Sequence, residues 1–281
     1  MKFTKDFKLG ISSYVLSVGF ILRNGFLKYL LIPLVLFGII FYTGHRFEEF
    51  SNNAAAAIDA GNYSWGFIGK IGLWIKQGFF YLLKFLFVDA TKYLVIMFLS
   101  PLLAILSEKT EEILTGNKYK FNLKQLIKDV KRGIGIAIRM LVAEVLLAYV
   151  LWQWIIAPLL GVNDFLTDTI IVLIGAYFYG FAYVDYINER LRLTIKESWK
   201  FMRKHAGLAF AIGLVYSLFY RIPSMINPDN KILDTVLDNF GVLFAPVLAI
   251  VAATLAMHKL VDLNNSKYAK KNTPKNPPIE I

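Results

Sequence analysis

No cysteine occurs in the 281 residues, which excludes disulfides and thiolate metal centres. Histidine is scarce. His45, His205 and His258 stand far apart, so neither metal-ligand spacing nor a Cys/His pair arises. Charged side chains make up only 18% of the chain, against about 25% in soluble domains. A Walker phosphate loop is missing, so ATP-driven transport by this chain alone is not expected. The stretch "RGIGIAIRM" (Arg132 to Met140) lacks the third glycine of a dinucleotide fingerprint and follows a basic helix, not a strand; Gly133 and Gly135 read as close-packing positions. These absences leave no catalytic residue, metal or cofactor to expect, and the chain does not read as an enzyme.

What is abundant is apolar. Apolar residues make up 57% of the chain and mean hydropathy is +0.52, too apolar for one soluble core. An all-α integral membrane protein is expected. The net charge is +11 and the pI about 9.6. The cations cluster between apolar runs, which fits loops facing anionic lipid and not nucleic acid.

A hydrocarbon core of about 30 Å needs roughly 20 mainly apolar residues in a helix. Six segments approach this, at about 26–43, 77–99, 139–156, 169–186, 206–220 and 236–257. Four to six membrane-inserted helices are therefore expected. The fifth segment is short and is broken by Arg221, Pro223 and a polar turn at 227–230, and Pro246 interrupts the sixth. Together they predict a hairpin with at least one arm that does not cross fully, lying against the bundle or an oligomer interface so that its backbone is covered. Before the first segment, Phe3, Phe7, Ile11, Val15, Val18 and Leu22 recur at helical spacing, with Lys2, Lys5 and Lys8 between them. This predicts an interfacial amphipathic helix and not a cleaved signal. Pro101 bends the chain after the second segment, Thr115-Gly116 stops the polar helix that follows, and the third segment is expected to stop near Pro158. Residues 1–263 form one helical membrane domain, and 264–281, rich in Lys, Asn and Pro, a disordered tail.

Cations cluster at the N-terminus, at 109–132, at 190–204 and in the tail, while the intervening loops carry Glu48, Glu49, Asp59, Asp164, Asp168, Asp229 and Asp234. The positive-inside rule then puts both termini in the cytoplasm.

Three stretches carry a resemblance. "FLSPLLAILSEKTEEILTG" (Phe98 to Gly116), "FAYVDYINERLRLTIKESWKFMRKHAGLAFAIG" (Phe181 to Gly213) and "GFLKYLLIPL" (Gly25 to Leu34) resemble blocks of the CysZ-type sulfate permeases, a family that also includes etoposide-induced membrane proteins. The resemblance runs from about residue 7 to 262. It implies a permease or channel of the bacterial inner membrane for a small inorganic anion such as sulfate, with flux passive or ion-coupled. Pro101, Asp185 and Arg190 would belong to a structural or gating corner. Sulfate-type members tend to carry adjacent arginines where this chain has Leu27 and Lys28, and Phe-Asn where Leu102 and Leu103 follow Pro101.

The residues themselves offer two further places for chemistry. Arg23, Gly25 and Lys28 gather at a helix start, where glycine lets backbone approach an anion and free amides attract negative charge. The competing reading is that the two cations reach to lipid phosphate. Within apolar segments, Lys84 and Glu144 are costly charges that suggest a polar path, or else ion pairs that set helix register. Asp89 and Lys92 are spaced to pair on one face. Asp185 could equally cap a turn or pair with a nearby cation. Membrane lipids, a small anion and a second copy of the chain are the candidate partners; nucleic acid is not. The alternative to transport is a membrane scaffold acting in envelope or lipid organisation.

Overall fold

The structure is a computed structural model that describes residues 2–35, 91–116, 123–191, 193–226 and 231–261. The loop at 51–64, Lys84, Asp89, the turn at 227–230 and the tail at 264–281 lie outside the described residues. Every described element is a helix. Helix α1 (Lys2–Arg23) leads into a 3-10 turn (Phe26–Leu30). Then come α2 (Thr91–Phe98), α3 (Ser100–Thr115) and α4 (Leu123–Glu144). A π-helical stretch (Val145–Ile156) and a last turn, α5 (Ala157–Leu160), continue α4. Helix α6 (Asp164–Arg190), α7 (Ile195–Lys204), α8 (Ala206–Ile226) and α9 (Lys231–Leu260) complete the described chain. The fold is that of an all-α membrane protein.

Local chemistry sets many boundaries. Pro101 lies in the first turn of α3, where its missing N–H has no helical partner to lose, and Gly116 ends that helix at φ 74°. The Asn163 side chain accepts a hydrogen bond from the Leu166 amide and starts α6. Thr194 and Glu197 form a reciprocal capping box on α7. The helical run stops near Pro158, as expected. It passes through that residue and ends at Gly161, φ 62°. A proline in the first turn of α5 follows π winding, so the α-helical bond it would have broken is already replaced. Likewise α8 continues beyond Pro223 to Ile226.

Among the described residues, two helices are long and apolar enough to cross a membrane, Val130–Leu160 and Phe165–Arg190. A third candidate is the pair Lys2–Arg23 and Phe26–Val35, bent by 101°. Among the described residues, Ala206–Phe219 and Phe244–Leu260 are shorter apolar stretches of α8 and α9.

Both arms of the expected hairpin lie inside the bundle. From Ala245 to Met257, α9 is buried almost all round, the pattern of a central helix. It packs against α1, α3, α6 and α8. The α6–α8 crossing is the tightest. Ala176 and Gly180 on α6 meet Gly213 and Ala209 on α8, one small residue every fourth position on each helix. A Cβ on Gly180 would lie 1.7 Å from the Ala209 carbonyl oxygen, and one on Gly213 would lie 1.6 Å from that of Ala176. The order of these pairs makes the helices antiparallel.

Helix α1 turns its small and polar face inward: Asp6, Gly10, Ser13, Tyr14, Ser17 and Ile21 are buried. The Tyr14 hydroxyl donates to the Ile212 carbonyl at 2.8 Å. Its apolar stripe faces out, with Phe3, Val15, Val18 and Leu22 exposed. That is the arrangement for a helix in contact with acyl chains.

Candidate functional site

The first place to examine is the turn after α1. Gly25 is left-handed at φ 66° and caps the 3-10 turn. This conformation costs an L-residue roughly 1–2 kcal/mol, so glycine is the residue that suits it. The chain bends there by 101°, about the angle between a helix lying on a membrane surface and one descending from it. Arg23 and Lys28 flank the bend and both are exposed. Lys28 Nζ lies 5.3 Å from the centroid of the Tyr29 ring. Lys109 on α3 pairs with Glu112 at 2.6 Å. That hydrogen bond raises the Lys109 pKa, and Tyr29 adds a smaller upward contribution. The turn itself packs against α1 and α9, with its two cations exposed.

The second place is Glu144, at the residue where α4 gives way to π winding. Its carboxyl is 6% exposed. Tyr93 donates to Oε2 at 2.5 Å and Tyr179 to Oε1 at 3.1 Å. Gly175 leaves the space, since a Cβ there would lie 2.5 Å from Oε1. The rings of Tyr93, Tyr179, Tyr216 and Tyr183 continue from one to the next at 4.8, 5.6 and 5.0 Å between centroids. A carboxyl inside an apolar span is thereby solvated by phenols from α2 and α6 in place of water. Lys84, the other residue of the expected polar path, is outside the described residues.

The third place is the corner at the end of α6. Asp185 pairs with Arg132 on α4 through a fork: Nε donates to Oδ2 at 3.1 Å and Nη2 to Oδ1 at 3.2 Å. Arg132 also donates to the Ser198 hydroxyl at 3.1 Å and to the Leu193 carbonyl, and lies 4.0 Å from Glu189. Arg190 binds Glu111 on α3 at 2.8 Å through Nε and 2.6 Å through Nη2. Gly133 faces the Tyr186 hydroxyl, where a Cβ would come within 3.1 Å, which bears out its reading as a packing position. Of the two readings of Asp185, the geometry has it paired with a cation, and Pro101 starts the helix that carries Glu111.

Sequence reasoning placed Arg132 among lipid-facing cations and did not see its role here. The signal was available only as a complementarity: a carboxylate closing an apolar run needs a cation. Nothing local says which one, since the partner is 53 residues away. Asp6 was also missed. It is buried and meets His205 Nδ1 at 2.9 Å, while the His205 ring stacks on Phe201. Burial lowers the His205 pKa, and the bond to Asp6 opposes that shift.

Among the described residues, no group of three or more His, Asp or Glu could hold a metal ion. No curated protein matches the chain. The family described as sulfate transporter CysZ/etoposide-induced protein 2.4 matches residues 14–226, a stretch that contains the Gly25 turn, Glu144 and the corner. With that match over most of its length and an all-helical membrane fold, the chain belongs to the sulfate transporter CysZ/etoposide-induced protein 2.4 family.

Proposed function

We propose that this protein is a permease or channel for a small oxyanion of the sulfate class, in a bacterial inner membrane, with both termini in the cytoplasm. Family membership supports the transport class. The observation that carries the residue-level reading is the Gly25 turn. There Arg23 and Lys28 flank a left-handed glycine at a right-angle bend and keep their charged ends exposed. Arg132 and Arg190 are instead occupied by carboxylates. Cations at such a bend replace part of an oxyanion's hydration as it leaves bulk water. Lys28 offers a point charge where a guanidinium offers a planar fork, so discrimination among oxyanions by this pair is modest. Glu144 marks the polar path through the bundle, at a change of winding of the kind frequent at functional sites. The chain is not an enzyme in this reading.

The test is uptake of radiolabelled sulfate into proteoliposomes, with chloride and phosphate as controls. Wild type is expected to accumulate sulfate, and Arg23→Gln with Lys28→Gln to lower the flux without loss of insertion. Absence of sulfate-specific uptake by correctly inserted wild type would favour the scaffold reading. Unchanged flux in the double variant would make the two residues lipid anchors.

A further inference from the structure

Glu144 is held in the way a bound oxyanion is held. Two phenols from two other helices, Tyr93 on α2 and Tyr179 on α6, donate to its two carboxylate oxygens. Both phenols are buried. Gly175, one turn before Tyr179 on α6, gives the carboxyl its space. A Cβ there would lie 2.5 Å from Oε1 and 3.2 Å from the carboxyl carbon. The result is a buried notch with two convergent donors, filled by an anion that the chain itself carries.

A free oxyanion presents the same chemistry as that carboxylate: oxygens that accept hydrogen bonds and do not donate them. It would find the same two donors, but only with the carboxyl elsewhere. Two anions on one pair of donors repel strongly in an interior of low dielectric. Carboxylate and permeant ion therefore exclude each other.

The notch opens onto a buried line of hydroxyl-bearing rings. Tyr179, Tyr183 and Tyr186 follow one another at successive turns of α6. The Tyr179 and Tyr183 rings both meet Tyr216 of α8, at 5.6 and 5.0 Å between centroids. The Tyr186 hydroxyl faces Gly133 of α4, with Ser100 beside it. Gly133 adjoins Arg132, so the line leads from Glu144 to the corner at the end of α6.

We infer, on the transport reading above, that the Tyr93–Tyr179 notch is an internal station for the permeant oxyanion. The Glu144 carboxylate is its tethered resident and closes the path until an anion displaces it. A clamp that only joins helices would use the same bonds, but it makes a different prediction for flux.

Sulfate flux in proteoliposomes, with elution and melting of each variant in detergent, tests this. Glu144→Gln keeps the shape of the resident and removes its charge. It is expected to raise flux by roughly 10-fold, since hydrogen bonds to a neutral acceptor are about half as strong as those to a carboxylate. Tyr93→Phe with Tyr179→Phe, added to Glu144→Gln, should bring flux back to the wild-type level or below, because the donors that hold the anion are gone. Glu144→Asp keeps the charge but falls short of both phenols, and should raise flux as well; it carries the test should the glutamine variant not fold. Wild-type flux in the folded Glu144 variants would make the carboxylate a structural clamp and overturn the gate, leaving the permease reading intact. Loss of flux in a folded Glu144→Gln protein would also overturn the gate, by making the carboxylate a charge that transport requires. Sulfate flux in neither wild type nor any variant would remove the transport reading and the gate with it.

Discussion

The two ends of the polar architecture use the same residue types to opposite ends. At the α6 corner, Arg132 and Arg190 are turned inward onto Asp185 and Glu111, and four of the five guanidinium N–H groups of Arg132 are given to a carboxylate, a hydroxyl and a carbonyl. At the Gly25 turn, Arg23 and Lys28 are held apart by backbone geometry and face outward. An arginine near a membrane is thus no evidence of an anion site by itself. What separates structure from function here is whether the protein has already supplied the counter-charge.

The largest effect should come from breaking the inward side. Arg132→Ala leaves Asp185 and Glu189 facing each other in a buried corner, and removing one partner of such a pair costs about 3–5 kcal/mol. The expected result is loss of a monodisperse, folded protein in detergent. Arg132→Lys should recover only part of the melting temperature, because one ammonium cannot reproduce the fork. A variant that melts like wild type would mean that the corner is not structural.

The Glu111–Arg190 pair should show the next largest effect. Single alanine variants at either position should destabilise, and the double variant should cost less than their sum. A coupling of about 1–3 kcal/mol from thermal melts is expected for a shared ion pair. Additive losses would contradict a direct pairing.

Gly25→Ala sharpens the outward side. It forces a side chain into a left-handed conformation, at a cost of about 1–2 kcal/mol. It should shift the melting temperature slightly, and sulfate flux more, since the angle between α1 and the descending helix is set there.

The far end of α1 gives a pH handle. His205 has a lowered pKa in the folded protein, so between that value and its ordinary value of about 6.5 the unfolded chain binds the proton more readily. Stability contributed by the Asp6–His205 contact is therefore complete above about pH 6.5 and declines as pH falls below it. Amide exchange in α1, corrected for its intrinsic pH dependence, should report more opening at pH 5.5 than at 7.5. The same protection at both values would show that His205 does not hold the helix.

The smallest effect on stability is expected at the exposed cations themselves. Arg23→Gln and Lys28→Gln should each change the melting free energy by no more than about 0.5 kcal/mol, as surface substitutions do. A large change would move them to the structural side of the comparison.

The parts of this molecule that could be read from sequence are those set by neighbours in the chain. The stop at Gly116 and the outward stripe of α1 each follow from a few adjacent residues. The stop near Pro158 was legible too, but the π winding from Val145 to Ile156 that precedes it was not, because no residue there marks a change of hydrogen-bond register. The partners of Asp185, Glu111, Glu144 and His205 were invisible for a different reason. Their pairings span 53, 79, 51 and 199 residues, so they exist only once the helices are packed. Of the candidate site, the residues at the Gly25 turn were legible because glycine and cations adjoin. Their exposure was not, because it depends on which carboxylates the fold spends elsewhere.

The backbone contact between α6 and α8 constrains how the chain can be made. Helix α8, Ala206–Ile226, is about 32 Å long at 1.5 Å per residue, close to the thickness of the hydrocarbon core. It follows the basic helix α7. Its docking groove, Ala176 and Gly180, belongs to a helix synthesised before it. The order of synthesis follows the order of packing: the small-residue face of α6 is made before the helix that fills it. A bulky residue at Gly180 would drive α8 away from that face, leaving both helices made and inserted but the bundle unable to close around α9.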